Sequence, residues 1–145
     1  MGRSVAAASA VLASFLTVVS AHAASTIWGA GLSASVDPSG SYSVIAWDPA
    51  WVFSGDIGHP LSNISVASGA DAAGGYSEVS FDFQTAVSLH AAIHVYSGRP
   101  AILFTLKYPG AAANTFAFPT LTAYPQGLRH INFYGHFSIP PPIHS

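Results

Sequence analysis

Two pairs of ionisable residues in this chain stand at the same spacing. The stretch "VSLHAAIHVY" carries His90 and His94, and "YSEVSFDF" carries Glu78 and Asp82, each pair four residues apart. On a helix, histidines at that spacing share a face and can hold one metal ion. Two carboxylates are what a glycosidase needs for acid, base or nucleophile. A third feature is Trp47-Asp48-Pro49-Ala50-Trp51, which sets two indoles around a turn. Exposed rings of that kind can stack on the faces of a sugar.

The elements that carry these residues decide what they can do. Val87, Leu89, Ala91, Ile93 and Val95 alternate with Ser88, His90, Ala92, His94 and Tyr96. That period of two belongs to a strand. In "YSEVSFDF", Val79, Phe81 and Phe83 alternate with Glu78, Ser80 and Asp82 in the same way. Four residues of extended chain put Cα atoms roughly 13 Å apart. Zinc needs each imidazole nitrogen at about 2.1 Å. Retaining and inverting glycosidases need carboxylates about 5.5 Å and about 6.5–9.5 Å apart. His90 and His94 are therefore expected as exposed or interfacial strand residues, and Glu78 and Asp82 not as a dyad. No catalytic residue, metal ligand or cofactor site is assigned.

The next run, Ile102, Phe104, Leu106 and Tyr108, keeps one parity. A two-residue turn at Ser97-Gly98 would set Ile93 against Ile102, Ala91 against Phe104 and Leu89 against Leu106. A four-residue loop from Ser97 to Pro100 preserves the same inner face, whereas a one-residue slip would turn an apolar set outward.

Strand-like runs recur along the rest of the chain. They are expected near Thr26–Val36, Ser41–Trp47, Trp51–Ser54, Leu61–Ser68, Tyr76–Phe83, Val87–Tyr96, Ala101–Tyr108 and Leu128–Phe137. Turn residues separate them about every ten positions, the pattern of a sandwich or barrel. Asp37-Pro38-Ser39-Gly40 suits a type I turn. Asp48, Asp56 and Asp71 fall in turns, where Asp accepts backbone hydrogen bonds. "SGADAAGG" and the stretch from Pro109 to Gly127 are expected as loops. The fold class is all-β, an antiparallel β-sandwich.

Composition narrows the function. Of 145 residues, half are hydrophobic and only 7% are charged, against roughly 25% in an average soluble domain. Three Arg, one Lys and a net charge of −2 give no electrostatic footprint for nucleic acid. There is no cysteine, hence no disulfide framework, thiol nucleophile or Cys-based metal site. "GADAAGG" lacks the Lys-Ser/Thr of a P-loop, and no serine stands in G-x-S-x-G. Asn63-Ile64-Ser65 matches a glycosylation acceptor, a triplet common by chance.

Residues 1–23 read as a signal peptide. Arg3 precedes an apolar stretch through Val19, and Ala21-His22-Ala23 is an A-x-A cleavage site. The stretch is shorter than the roughly 20 apolar residues of a spanning helix. The expectation is a secreted or periplasmic domain, residues 24–145, with no membrane attachment after cleavage. Trp47 and Trp51 are the candidate carbohydrate contacts, against the alternative that both pack into the end of the core.

The stretches from Gly40 to Phe83, "IHVYSGRPAILFTLKY" and "FPTLTAYPQ" resemble the amino-terminal β-sandwich of secreted bacterial α-galactosidase-like glycoside hydrolases. The resemblance spans about Gly40 to Phe137 and is carried by W-x-F-S-G, G-G-Y-S-E-V-S-F and R-P-A-I-L-F. It implies an accessory domain whose catalytic carboxylates belong to a following (β/α)₈ barrel. This chain instead stops at "IPPPIHS", as a truncated or frameshifted product would. The expected partners are a carbohydrate or the missing barrel domain. The alternatives are a free-standing carbohydrate-binding or surface-interaction module and, last, an independent hydrolase.

Overall fold

The computed structural model describes residues 23–111 and 115–127. The expected signal peptide through residue 22 and the expected strand Leu128–Phe137 lie outside them. Nine strands are described: β1 (Ser25–Trp28), β2 (Leu32–Val36), β3 (Ser41–Trp47), β4 (Ala50–Asp56), β5 (Leu61–Asp71), β6 (Gly74–Gln84), β7 (Ser88–Tyr96), β8 (Ile102–Lys107) and β9 (Leu121–Ala123). They form a five-stranded sheet, β1-β2-β3-β4-β9, and a four-stranded sheet, β5-β6-β7-β8. All pairings are antiparallel. The sheets pack face to face as an antiparallel β-sandwich.

Alternation builds the core. Ile27, Val36, Tyr42 and Val44 of one sheet meet Val79, Phe81, Leu89 and Ile93 of the other. Val79, Phe81 and Ile93 have no exposed surface, and each such burial contributes about 1.5–3 kcal/mol. Phe118, partly buried, packs against this core edge-on to Phe81 at 6.1 Å and Phe104 at 5.4 Å. Tyr42 reaches across to donate its hydroxyl to the Thr120 carbonyl at 2.7 Å. Its ring lies where a Cβ on Gly55 would be, 2.1 Å away, so β4 carries glycine there.

Three stretches differ from the sequence expectation. The run Thr26–Val36 is split by Gly29-Ala30-Gly31 into β1 and β2, with Gly29 N–H donating to the Leu32 carbonyl at 3.0 Å. "SGADAAGG" is paired almost throughout, from Ser68↔Ser77 to Asp71↔Gly74. Its poor strand formers are held there because Asp71 accepts the Ala73 N–H at 2.7 Å and the Tyr96 hydroxyl at 2.7 Å. The expected loop from Pro109 to Gly127 supplies Phe116 and Phe118 to the core and forms β9 against β4. Its contacts are made with distant strands, and β9 is only three residues long, too short to leave a periodic trace.

Between β7 and β8 the four-residue connection is the one found. It pairs Val95 with Ile102, Ile93 with Phe104 and Ala91 with Leu106, two residues from the two-residue-turn register and on the same parity. Asp37-Pro38-Ser39-Gly40 closes with Gly40 N–H on the Asp37 carbonyl at 2.9 Å.

Candidate functional site

The four ionisable residues meet, but across strands rather than along them. The β6–β7 register sets Glu78 opposite His94 and Asp82 opposite His90. His94 Nε2 lies 2.7 Å from Glu78 Oε2, and His90 Nδ1 lies 2.7 Å from Asp82 Oδ1. Asn63 Nδ2 donates to the other Asp82 oxygen at 2.8 Å. The bonds from Asn63 and then His90 hold the Asp82 carboxyl below the usual range.

His94 is more covered than an outer-face strand residue is expected to be. Its side chain is 11% exposed, and its ring stacks on Tyr76 at 4.2 Å and 6°. Its Nδ1 is buried without a partner. Next to it, the Tyr96 hydroxyl holds Asp71 below the ordinary range, and Arg99 sits 5.1 Å over the Tyr96 ring. Outward polar groups on the four-stranded sheet are thus bound to one another. Asn63 of the acceptor triplet belongs to this network, at a register shift with φ of 51°.

The five-stranded sheet presents a different outward face. Trp47 pairs with Ala50 and Trp51 with Ala46, so the two indoles have opposite parity. Trp47 shares its side with Ser43 and Ile45. Trp51 shares the core-facing side of Val44 and Phe53 at the end of the sandwich, and is 37% exposed. The two candidate carbohydrate contacts therefore do not form one surface.

Trp47 has a different companion. Trp28 pairs with Ser33, which pairs with Ile45, which pairs with Val52. These residues make one outward row, in which Trp28 is 58% exposed and Val52 53%; Trp47, one row on, is 52% exposed. Between the indoles β2 contributes only Ser33 and Gly31. Gly31 has φ of +69° and nothing within 4 Å of a would-be Cβ. The floor between the rings is therefore low.

The next rows are hydroxylic. Thr26, Ser35, Ser43 and Ser54 pair in sequence across β1 to β4. Beyond them Ser41 pairs with Asp56 and donates to it at 3.1 Å. Asp37, Ser41, Asp56 and Thr122 border an open depression of about 400 Å³ here. Hydrogen bonds from the Ser39 side chain and backbone hold the Asp37 carboxyl below the usual range. Asp56 and Asp71 each accept a backbone N–H two residues on, as turn aspartates should.

Sequence reasoning missed Trp28. The signal was available: Thr26 and Trp28 alternate with buried Ile27, and Ser33 and Ser35 with Ala34 and Val36. No family model, curated protein or solved structure matches this chain. Among the described residues no three His, Asp or Glu side chains group to hold a metal ion. No helix among them is long and apolar enough to cross a membrane.

Proposed function

We propose that the chain is an exported, non-catalytic β-sandwich of the kind that accompanies an α-galactosidase-like glycoside hydrolase. The outward face of the five-stranded sheet is its contact surface. The observation that carries this reading is the set Trp28, Trp47 and Val52, all on that face and each more than half exposed. Large aromatic groups dominate interface energetics when covered, and a cluster of them in water marks an interaction site. Export is supported by Arg3, the apolar stretch and Ala21-His22-Ala23.

Two measurements test the reading. The mature amino terminus should begin after Ala23, within a residue or two, by mass spectrometry; an intact Met1 on membrane-bound protein contradicts export. The purified chain should not turn over aryl α-galactosides. Turnover that survives clean purification contradicts the non-catalytic reading. A free-standing binding module is the second reading, favoured by the serine and aspartate rows beside the indoles.

A further inference from the structure

The outward face of the five-stranded sheet has chemistry that selects among occupants. From the chemistry of this face we infer that it takes a neutral, extended oligosaccharide lying along β3, stacked between Trp28 and Trp47 and hydrogen-bonded at the Ser41–Asp56 end. The inference rests on the reading of this face as the contact surface of a non-catalytic domain.

Geometry sets the length. Trp28 and Trp47 stand two strands and two residues apart, about 12 Å between Cα atoms at ordinary strand spacings. From Trp47 to Ser41 is six residues of β3, about 20 Å. That track accommodates several sugar units in a row, the first held by rings and the last by carboxylate and hydroxyl groups. Gly31, with nothing within 4 Å of a would-be Cβ, leaves space between the indoles for a flat ring, and Ser33 beside it is buried.

Charge and hydrogen bonding choose the chemistry. Asp37 and Asp56 border the depression at the Ser41 end, and exposed Asp48 stands in the turn beside Trp47. Among the described residues the only Lys and Arg are Lys107, on β8, and Arg99, in the β7–β8 loop, both in the other sheet. An anionic glycan or nucleic acid would meet Asp37, Asp48 and Asp56 and, among the described residues, no Lys or Arg. An apolar protein surface would cover the Thr26–Ser54 hydroxyl row and the carboxylates, and a polar group buried without a new partner is costly. A neutral sugar meets all three demands. Its C–H faces lie on the indoles, and its hydroxyls donate to the aspartates. They also exchange hydrogen bonds with serine, which both donates and accepts.

The test is titration calorimetry of the full chain. The probes are neutral hexasaccharides of α- and β-linked glucose, galactose, mannose and xylose, with oligogalacturonate as the anionic control. At least one neutral chain should bind. Trp28→Ser and Trp47→Ser should each weaken it by about tenfold or more, as loss of a stacked ring implies. Trp47→Phe should retain most of the affinity, and Asp56→Asn should reduce it. His90→Ala, on the other sheet, should bind like wild type, and thermal melts should show every variant folded. Binding of oligogalacturonate as tight as that of the neutral chain overturns the inference. So does binding of a neutral chain that neither tryptophan variant weakens. Failure of every neutral chain to bind also overturns it. If Trp28→Ser/Trp47→Ser then converts an associating wild type into a monomer, the face is a protein contact. In that case the accessory-domain reading survives where the sugar does not.

Discussion

On the four-stranded sheet, the outward carboxylates of β5 and β6 are each bonded to a side chain of β7, with Leu103 of β8 left 41% exposed; on the five-stranded sheet, the largest outward side chains face water. The two faces share a pleat and a core. Glu78–His94, Asp82–His90 and Asp71–Tyr96 close the first. Trp28, Trp47 and Val52 leave the second open. Histidines and carboxylates are usually read as chemistry, and tryptophans as core. Here the ionisable pairs bridge the strands of one sheet, and the rings are the large groups that the other sheet leaves in water.

Substitutions can break or sharpen that contrast. The largest loss should come from the shared core, since Phe81→Ala should cost about 3–5 kcal/mol in chemical denaturation. This sets the scale for both faces. On the closed face, His94→Ala removes the stack on Tyr76 and strands Glu78, so it should cost about 1–3 kcal/mol. A cost within about 0.5 kcal/mol, the surface norm, would make this face as dispensable as the other.

Acid gives a subtler probe. The folded-state pKa of Asp71 and of Asp82 is depressed. Their contribution is present above the unfolded value of about 3.9 and is lost as pH falls through the folded values. Tyr96→Phe removes the hydroxyl bonded to Asp71, so the Asp71 carboxyl resonance should titrate at higher pH than in wild type. The stability gap between the two proteins should close in strong acid. An unchanged Asp71 titration would remove Tyr96 from the network.

The smallest effect belongs to the open face. Trp28→Ser should change stability by no more than about 0.5 kcal/mol, because that ring is 58% exposed. A large loss would mean that the indole supports the fold.

Much of this arrangement was legible in the sequence. Alternation in "YSEVSFDF" and "VSLHAAIHVY" identifies strands and inner faces, and that alone separates His90 from His94 and Glu78 from Asp82. What it does not supply is which strand lies beside which. The cross-strand partners follow from the three-residue link Thr85-Ala86-Val87, which sets Gln84 opposite Ser88. Trp47 and Trp51 look like one site because they flank a turn, yet the two-residue turn Asp48-Pro49 gives them opposite parity. Phe116 and Phe118 lie in a stretch with no alternation, where burial comes from a chain segment returning over the open end of the core.

The central claim is that recognition belongs to the outward face of β1–β4 and stability to that of β5–β8. Amide chemical-shift mapping of the isotope-labelled full chain, titrated with the tightest neutral hexasaccharide, tests it most directly. The account predicts perturbations at Trp28, Gly31, Ser33, Ser43, Trp47 and Asp56, with Glu78, His90 and His94 unmoved. Shifts concentrated on Glu78, His90 and His94, with Trp28 and Trp47 unchanged, would contradict it.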